Sequence, residues 1–384
     1  MKKTFLYIIA VCLYGLLAFS CARTQAYGGW PQTDGTEPDT LTREAALLTM
    51  VDRGNYTSVE IADPWKPGSI LGRYALVPRT SEVPEGLPSD AKIIRTPVER
   101  AAVYSSVHTS PMDELEALGS LVAVADGSFF GDDSPVAAMI RSGAVADVGS
   151  SMSPSVELIA QSQAEVILLS PMEGISFSND IVDRLGIVSL PMADYMELSP
   201  LARAEWIKLL GELFGKREGS RKIYDGVAAE YDALCRRVAD SSEKPPVVLT
   251  ETEYSGVWYV PAGGSYMARM LGDAGAVYPW ARTEGAGSLS LGVEQVLEKA
   301  GDADVWLVKT FGYDLTPEAL VAQNPLYSNF KAVASGGVYY CNTAVKPFYN
   351  DIAFHPERIL ADLVAIFHPD VMSGYEPRYF NTAS

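Results

Sequence analysis

The chain has 384 residues, of which 48% are hydrophobic and 20% charged, with 32 glycines and 24 prolines. This composition excludes a disordered or collagen-like protein and leaves enough chain for two or three cores. A formal net charge of -18 at pH 7 excludes nucleic acid held by a basic surface, and an anionic membrane surface as the main partner.

The first element is an export signal. Lys2 and Lys3 precede an apolar run from Phe5 to Phe19, and small Ser20 precedes Cys21. The run is too short for a comfortable spanning helix. Ala18-Phe19-Ser20-Cys21 resembles a bacterial lipobox, with Ala18 standing where leucine is commonest. The resemblance implies a signal peptide over residues 1–20 and a diacylglyceryl group on Cys21. It also implies a lipoprotein of the bacterial cell envelope, held to its membrane by the lipid anchor and facing the periplasm. Cys12 leaves with the signal, so Cys235 and Cys341 remain. An oxidising envelope permits them to pair; two separate buried thiols is the other reading.

Residues 21–55 read as a polar tether, rich in Gly, Pro, Thr and Asp at its start. Residues 56–94 read as an N-terminal β extension, with two β-rich runs around Pro64-Trp65-Lys66-Pro67-Gly68 as a hairpin or edge. From residue 95 to 214 apolar strands alternate with helices. Strands are predicted at Ala101–Ser105, Leu121–Ala125, Glu165–Leu169 and Ile187–Leu190, and helices at Met112–Leu118, Pro154–Ala160 and Asn179–Leu185. Ser153 is the expected cap of the second helix, with Pro154 in its first turn. Strands apolar throughout and separated by helices predict a parallel sheet covered on both faces.

Residues 215–244 are helical in pattern, with a break near Gly215. Ile223, Val227, Tyr231, Leu234 and Val238 fall on one stripe of that helix. After Pro245-Pro246 the alternation restarts and runs through residues 245–384, closing with a helix from Asp351 to Phe367 ended by His368-Pro369. The fold class is therefore α/β: two Rossmann-like lobes with parallel sheets, joined by one long bridging helix.

This order of elements and several local strings resemble the periplasmic substrate-binding proteins of ABC importers for metal chelates. The strings are TPVERAAVYSSVHTSPMDELEALGSLVAVAD and SPSVELIAQSQAEVILLSP in the first lobe, then LSLGVEQVLEKAGDADVWLV and DIAFHPERILADLVAIFHPD in the second. The resemblance covers the chain from about Arg95 onward. It implies capture of an iron chelate, haem or corrinoid in a cleft between the lobes and delivery to an ABC permease dimer. The alternatives are a stand-alone capture lipoprotein without a permease, and a chelatase-like enzyme on the same fold. A stiff bridging helix implies small closure on binding. Glu157 and Glu294, each near the start of a corresponding helix, match the family's glutamates that dock on permease arginines. A glutamate in a first turn also suits the helix dipole without any partner.

Ligands of open α/β sheets sit beyond the carboxyl ends of the strands. The candidate contacts there are Ser106, His108, Phe130, Met172 and Tyr195 in the first lobe. In the second they are Tyr254, Trp258, Trp280, Tyr313 and Tyr349. Aromatic rings suit a bulky, flat or partly apolar ligand. Only three histidines occur, too few for the bare-metal sites of related folds, so no metal site is expected. His108 alone is placed to ligate a haem or corrinoid metal or to hydrogen-bond a chelate. No nucleophile elbow, phosphate loop or CxxC motif is present, so neither an enzyme nor a covalently bound cofactor is expected. Arg141, Arg282 and Lys346 are the few basic residues near strand ends, which favours a neutral or weakly charged chelate such as a hydroxamate or corrinoid.

Overall fold

The computed structural model describes residues 29–31, 37–175 and 180–383. The export signal expected over residues 1–20 and the acylation expected at Cys21 fall outside the described residues. The chain first forms a five-stranded sheet. Its strands are β1 (Asp39–Thr40), β2 (Leu48–Asp52), β3 (Thr57–Ala62), β4 (Ile70–Pro78) and β5 (Ala91–Thr96), in that order. The first four pair antiparallel and β5 joins β4 in parallel. The tether expected over residues 21–55 is corrected here: β1 and β2 already belong to the sheet that was expected to start at Tyr56. Leu48 faces Ile61 and Met50 faces Val59 across the ladder. All four are fully buried, so the period-2 pattern locks this register.

The first lobe follows with β6 (Ala101–Val103), α1 (Thr109–Glu114), β7 (Leu121–Val124), α2 (Pro135–Arg141), β8 (Ala146–Asp147), α3 (Val156–Ser162), β9 (Val166–Leu169), α4 (Asp180–Arg184) and β10 (Val188–Pro191). The sheet order is β10-β9-β6-β7-β8, and every pairing is parallel. The chain winds outward from β6 in both directions, so the topology switches between β6 and β9. Helix α3 starts two residues later than expected, because Ser155 rather than Ser153 caps it, through a side-chain bond to the Leu158 amide.

Two short helices, α5 (Pro200–Ala204) and α6 (Ile207–Leu213), lead to the 23-residue α7 (Arg217–Ala239). Gly215 makes the break between α6 and α7 with a left-handed φ of 67°. The apolar stripe of α7 serves both lobes. Tyr224 and Val227 pack in the core of the first lobe, whereas Tyr231 and Leu234 pack in that of the second. One rigid element thus carries side chains of two cores.

The second lobe contains β11 (Val248–Thr250), β12 (Glu253–Tyr254), β13 (Val257–Pro261), α8 (Tyr266–Asp273), β14 (Ser288–Leu291), α9 (Val293–Ala300), β15 (Val305–Thr310), α10 (Pro317–Gln323), α11 (Lys331–Ser335), β16 (Val338–Asn342), α12 (Phe348–Phe354), α13 (Pro356–Phe367) and β17 (Asn381–Thr382). The main sheet, β11-β15-β16-β17, is parallel except for its edge strand β17, and β12-β13-β14 form a separate antiparallel sheet. The closing helix is two helices, since Pro356 has no N–H to continue α12 and starts α13. Cys235 and Cys341 are both free thiols.

Three contacts fasten the parts together. Glu205 accepts backbone N–H bonds from Arg43, Glu44 and Ala45, and its Oε1 lies 2.7 Å from Lys208. Glu197 accepts bonds from the amides of Ala46 and Leu47 and from the Trp206 indole. Both carboxylates are fully buried and hold the N-terminal segment onto the first lobe. Across the lobes, Phe354 from α12 is buried in the first lobe's core.

Candidate functional site

A cavity of about 670 Å³ opens at the carboxyl edge of the first parallel sheet. Its wall is built from the segments leaving consecutive strands. Tyr104 to His108 follow β6, Ala125, Asp126 and Phe129 follow β7, Leu169 to Met172 follow β9, and Asp194 and Tyr195 follow β10. The space lies at the switch between β6 and β9, where two crossovers diverge. Ile159, Ile167 and Leu169 make the inner wall apolar, while Phe129 and Met152 stand exposed around it.

The cavity has a charged corner. Asp194 is 1% exposed; its Oδ1 lies 2.9 Å from His108 Nε2 and its Oδ2 accepts from Arg203 Nε at 3.0 Å. Burial pushes the Asp194 carboxyl up, but His108 and Arg203 outweigh it and hold it below its ordinary value. Arg203 is buried as well, and its guanidinium lies 4.6 Å from the Tyr266 ring centroid in the second lobe. Burial disfavours its charge; Tyr266 and Asp194 more than compensate and raise its pKa. His108 completes the corner with Nδ1 unpartnered and its ring edge-on to Phe354. The Tyr195 hydroxyl donates to the Pro171 carbonyl, and burial lifts it to about 12, so it stays protonated.

Of the residues singled out from the sequence, Ser106, His108, Met172 and Tyr195 lie on this wall. Phe130 does not: it is half-buried against the core of the first lobe, and its neighbour Phe129 reaches the cavity instead. Trp258 and Trp280 are corrections of a different kind. Trp258 is fully buried, stacks on Trp306 at 5.5 Å and donates to the Thr250 carbonyl. Trp280 packs against Tyr278 at 5.6 Å and is 6% exposed. Both are core rings of the second lobe. Tyr254, Tyr313 and Tyr349 are exposed and stand outside the cavity wall. Sequence reasoning missed Asp126, Asp194 and Arg203. Asp194 and Arg203 follow β10 within one short stretch, but nothing in their spacing announces a buried pair.

The cationic candidates are differently occupied. Arg141 donates to the Asp132 carbonyl at 3.0 Å, and its side chain is exposed. Arg282 is exposed, and Lys346 is half-buried in the turn after β16. Lys309, at the end of β15, is paired with Glu251. Glu157 and Glu294 are exposed, each in the first turn of its helix, α3 and α9. Among the described residues no group of three or more His, Cys, Asp or Glu side chains is arranged to hold a metal ion.

A model of the periplasmic binding protein family matches residues 105–345. The chain belongs to that family. It is therefore a substrate-binding protein, not an enzyme. An uncharacterized lipoprotein of Methanocaldococcus jannaschii is 26% identical over 358 residues, covering 87% of this chain and 82% of the relative. A periplasmic binding protein from Veillonella parvula has a TM-score of 0.60 at 14% identity, covering 82% of this chain and 99% of that one. A periplasmic heme binding protein from Pseudomonas aeruginosa has a TM-score of 0.58 at 16% identity, covering 75% and 98%. At these identities the two structures share the fold alone. Among the described residues no helix is long and apolar enough to cross a membrane.

Proposed function

We propose that this periplasmic binding protein is the substrate-binding lipoprotein of an ABC importer. It captures an iron chelate, haem or corrinoid between its lobes and delivers it to a permease dimer. The observation that carries this reading is the 670 Å³ cavity at the switch point of the first lobe, in a chain whose two cores share one helix. A cavity of that size suits a ligand well beyond a bare ion. The heme-binding neighbour from Pseudomonas aeruginosa supports the ligand class, and the archaeal lipoprotein relative supports the anchor at Cys21.

Ser106, His108, Met172 and Tyr195 are the proposed ligand contacts of the first lobe. Tyr254, Tyr313 and Tyr349 are those of the second lobe, as exposed rings that meet the ligand when the cleft closes. Glu157 and Glu294 dock on the permease, because two separated charges on two lobes fix orientation. A thermal-shift panel of ferric siderophores, haemin and cobalamin tests the reading. A bound ligand raises the melting temperature with the logarithm of its excess over Kd. If no member shifts the transition, the reading is wrong.

A further inference from the structure

We propose that the cavity selects a chelate of zero or positive net charge, with the Asp126 carboxylate receiving a cationic or hydrogen-bond-donating group of that chelate. This rests on the chelate-binding reading above. It follows from a charge census of the described wall residues, where the permanently charged side chains are Asp126, Asp194 and Arg203, with the His108 ring held by Asp194. Arg203 is committed: Asp194 takes its Nε, Tyr266 covers its face, and little of it is exposed. The Asp194–Arg203 pair cancels, so with His108 as a neutral imidazole Asp126 is the net charge among the described wall residues. The nearby cations do not change the sign. Lys309 is paired with Glu251, and Arg141, Arg282 and Lys346 lie outside the wall. The chain as a whole adds a negative field, with its formal net charge of -18.

Asp126 itself is built for contact with the cavity. It lies two residues beyond β7 in a left-handed conformation, φ 52°, which a non-glycine residue adopts at some cost. That conformation turns the chain at the strand end, and the Asp126 amide donates to the Gly149 carbonyl. The side chain is half-buried, and its Oδ2 accepts from the Ser151 amide at 3.2 Å. Oδ1 has no protein partner among the described residues. A free carboxylate oxygen beside an apolar wall repels an anionic chelate and attracts an ammonium or amide donor, most strongly where water is excluded.

The test uses the signal-free chain and three ferric chelates, titrated by calorimetry. The first is a linear trihydroxamate carrying a free ammonium, the second the same chelate N-acetylated, and the third a trianionic triscatecholate. The ammonium chelate should bind at least tenfold more tightly than the triscatecholate. Asp126→Asn should weaken the ammonium chelate several-fold more than the acetylated one, so that the ratio between the two narrows. Asparagine keeps the Ser151 bond and tolerates the left-handed backbone, so this variant folds; an unchanged circular dichroism spectrum checks that. Triscatecholate binding as tight as the others, or a ratio untouched by Asp126→Asn, overturns the charge proposal and leaves the functional reading intact. Failure of all three chelates, together with haemin and cobalamin, overturns both.

Discussion

His355 Nε2 lies 2.7 Å from Glu114 Oε2, tying the junction of α12 and α13 in the second lobe to α1 in the first. His355 Nδ1 is 2.9 Å from Glu357, so the ring sits between two carboxylates, with Arg358 and Asp351 beside them. Burial works against the imidazolium, but the bonds to Glu114 and Glu357 prevail and raise its pKa to about 9. The ordinary histidine value is 6.5, so the charged form is favoured in the folded state. This contribution is complete below about pH 6.5 and is lost as the pH rises through 9. It amounts to about 2–3 kcal/mol after allowance for partial solvent access. Denaturant unfolding at pH 6.5 and 9.5 should show that loss, and His355→Gln should flatten it. An equal pH dependence in the variant would assign the loss to other groups.

The same contact bears on motion. Phe354, immediately before His355, is anchored in the core of the first lobe, and α7 spans both cores. Ligand binding should therefore change the radius of gyration by only about 1 Å or less, a shear rather than a hinge swing. Small-angle scattering with and without the ligand that passes the thermal-shift panel measures this.

The buried Glu205 should be intolerant of change. Glu205→Ala leaves three amides and Lys208 without their acceptor, a loss of about 3–5 kcal/mol. Limited proteolysis should then cut between residues 39 and 47 before the rest of the chain. Resistance of that segment in the variant would show that the sheet alone holds it.

Trp258 gives a contrast between core and site. Trp258→Ala should cost about 3–5 kcal/mol by emptying the cluster it shares with Trp306, Tyr327 and Phe330. Ligand affinity measured well below the melting temperature should change less than twofold. Tyr195→Ala, at the cavity wall, should do the reverse, with affinity falling at least tenfold and stability changing less.

For the exposed glutamates, the double reversal Glu157→Lys with Glu294→Lys should leave ligand affinity unchanged and reduce binding to permease-containing vesicles at least tenfold. Neither residue has an ion-pair partner among the described residues, so folding stability should fall only by the loss of two favourable first-turn charges, about 1–2 kcal/mol in total. Retained vesicle binding would remove the docking role from both.

The amino-acid sequence by itself determined the two lobes and the helix between them. Apolar runs such as Val166–Leu169 and Val305–Val308 have to be buried on both faces, and the stripe through Val227, Tyr231 and Leu234 has to be covered along its length. These are local demands, readable from period and polarity. Tertiary structure alone decided which side chains meet the cavity. Trp258 and Tyr259 are neighbours on β13 and point to opposite faces, yet one is fully buried and the other is 46% exposed. Period 2 separates them but does not say which face Trp306 and Tyr327 will cover, because those rings arrive from about 50 residues or more away. The same holds for Asp194 and His108, whose pairing depends on the ends of β6 and β10 reaching one edge of one sheet.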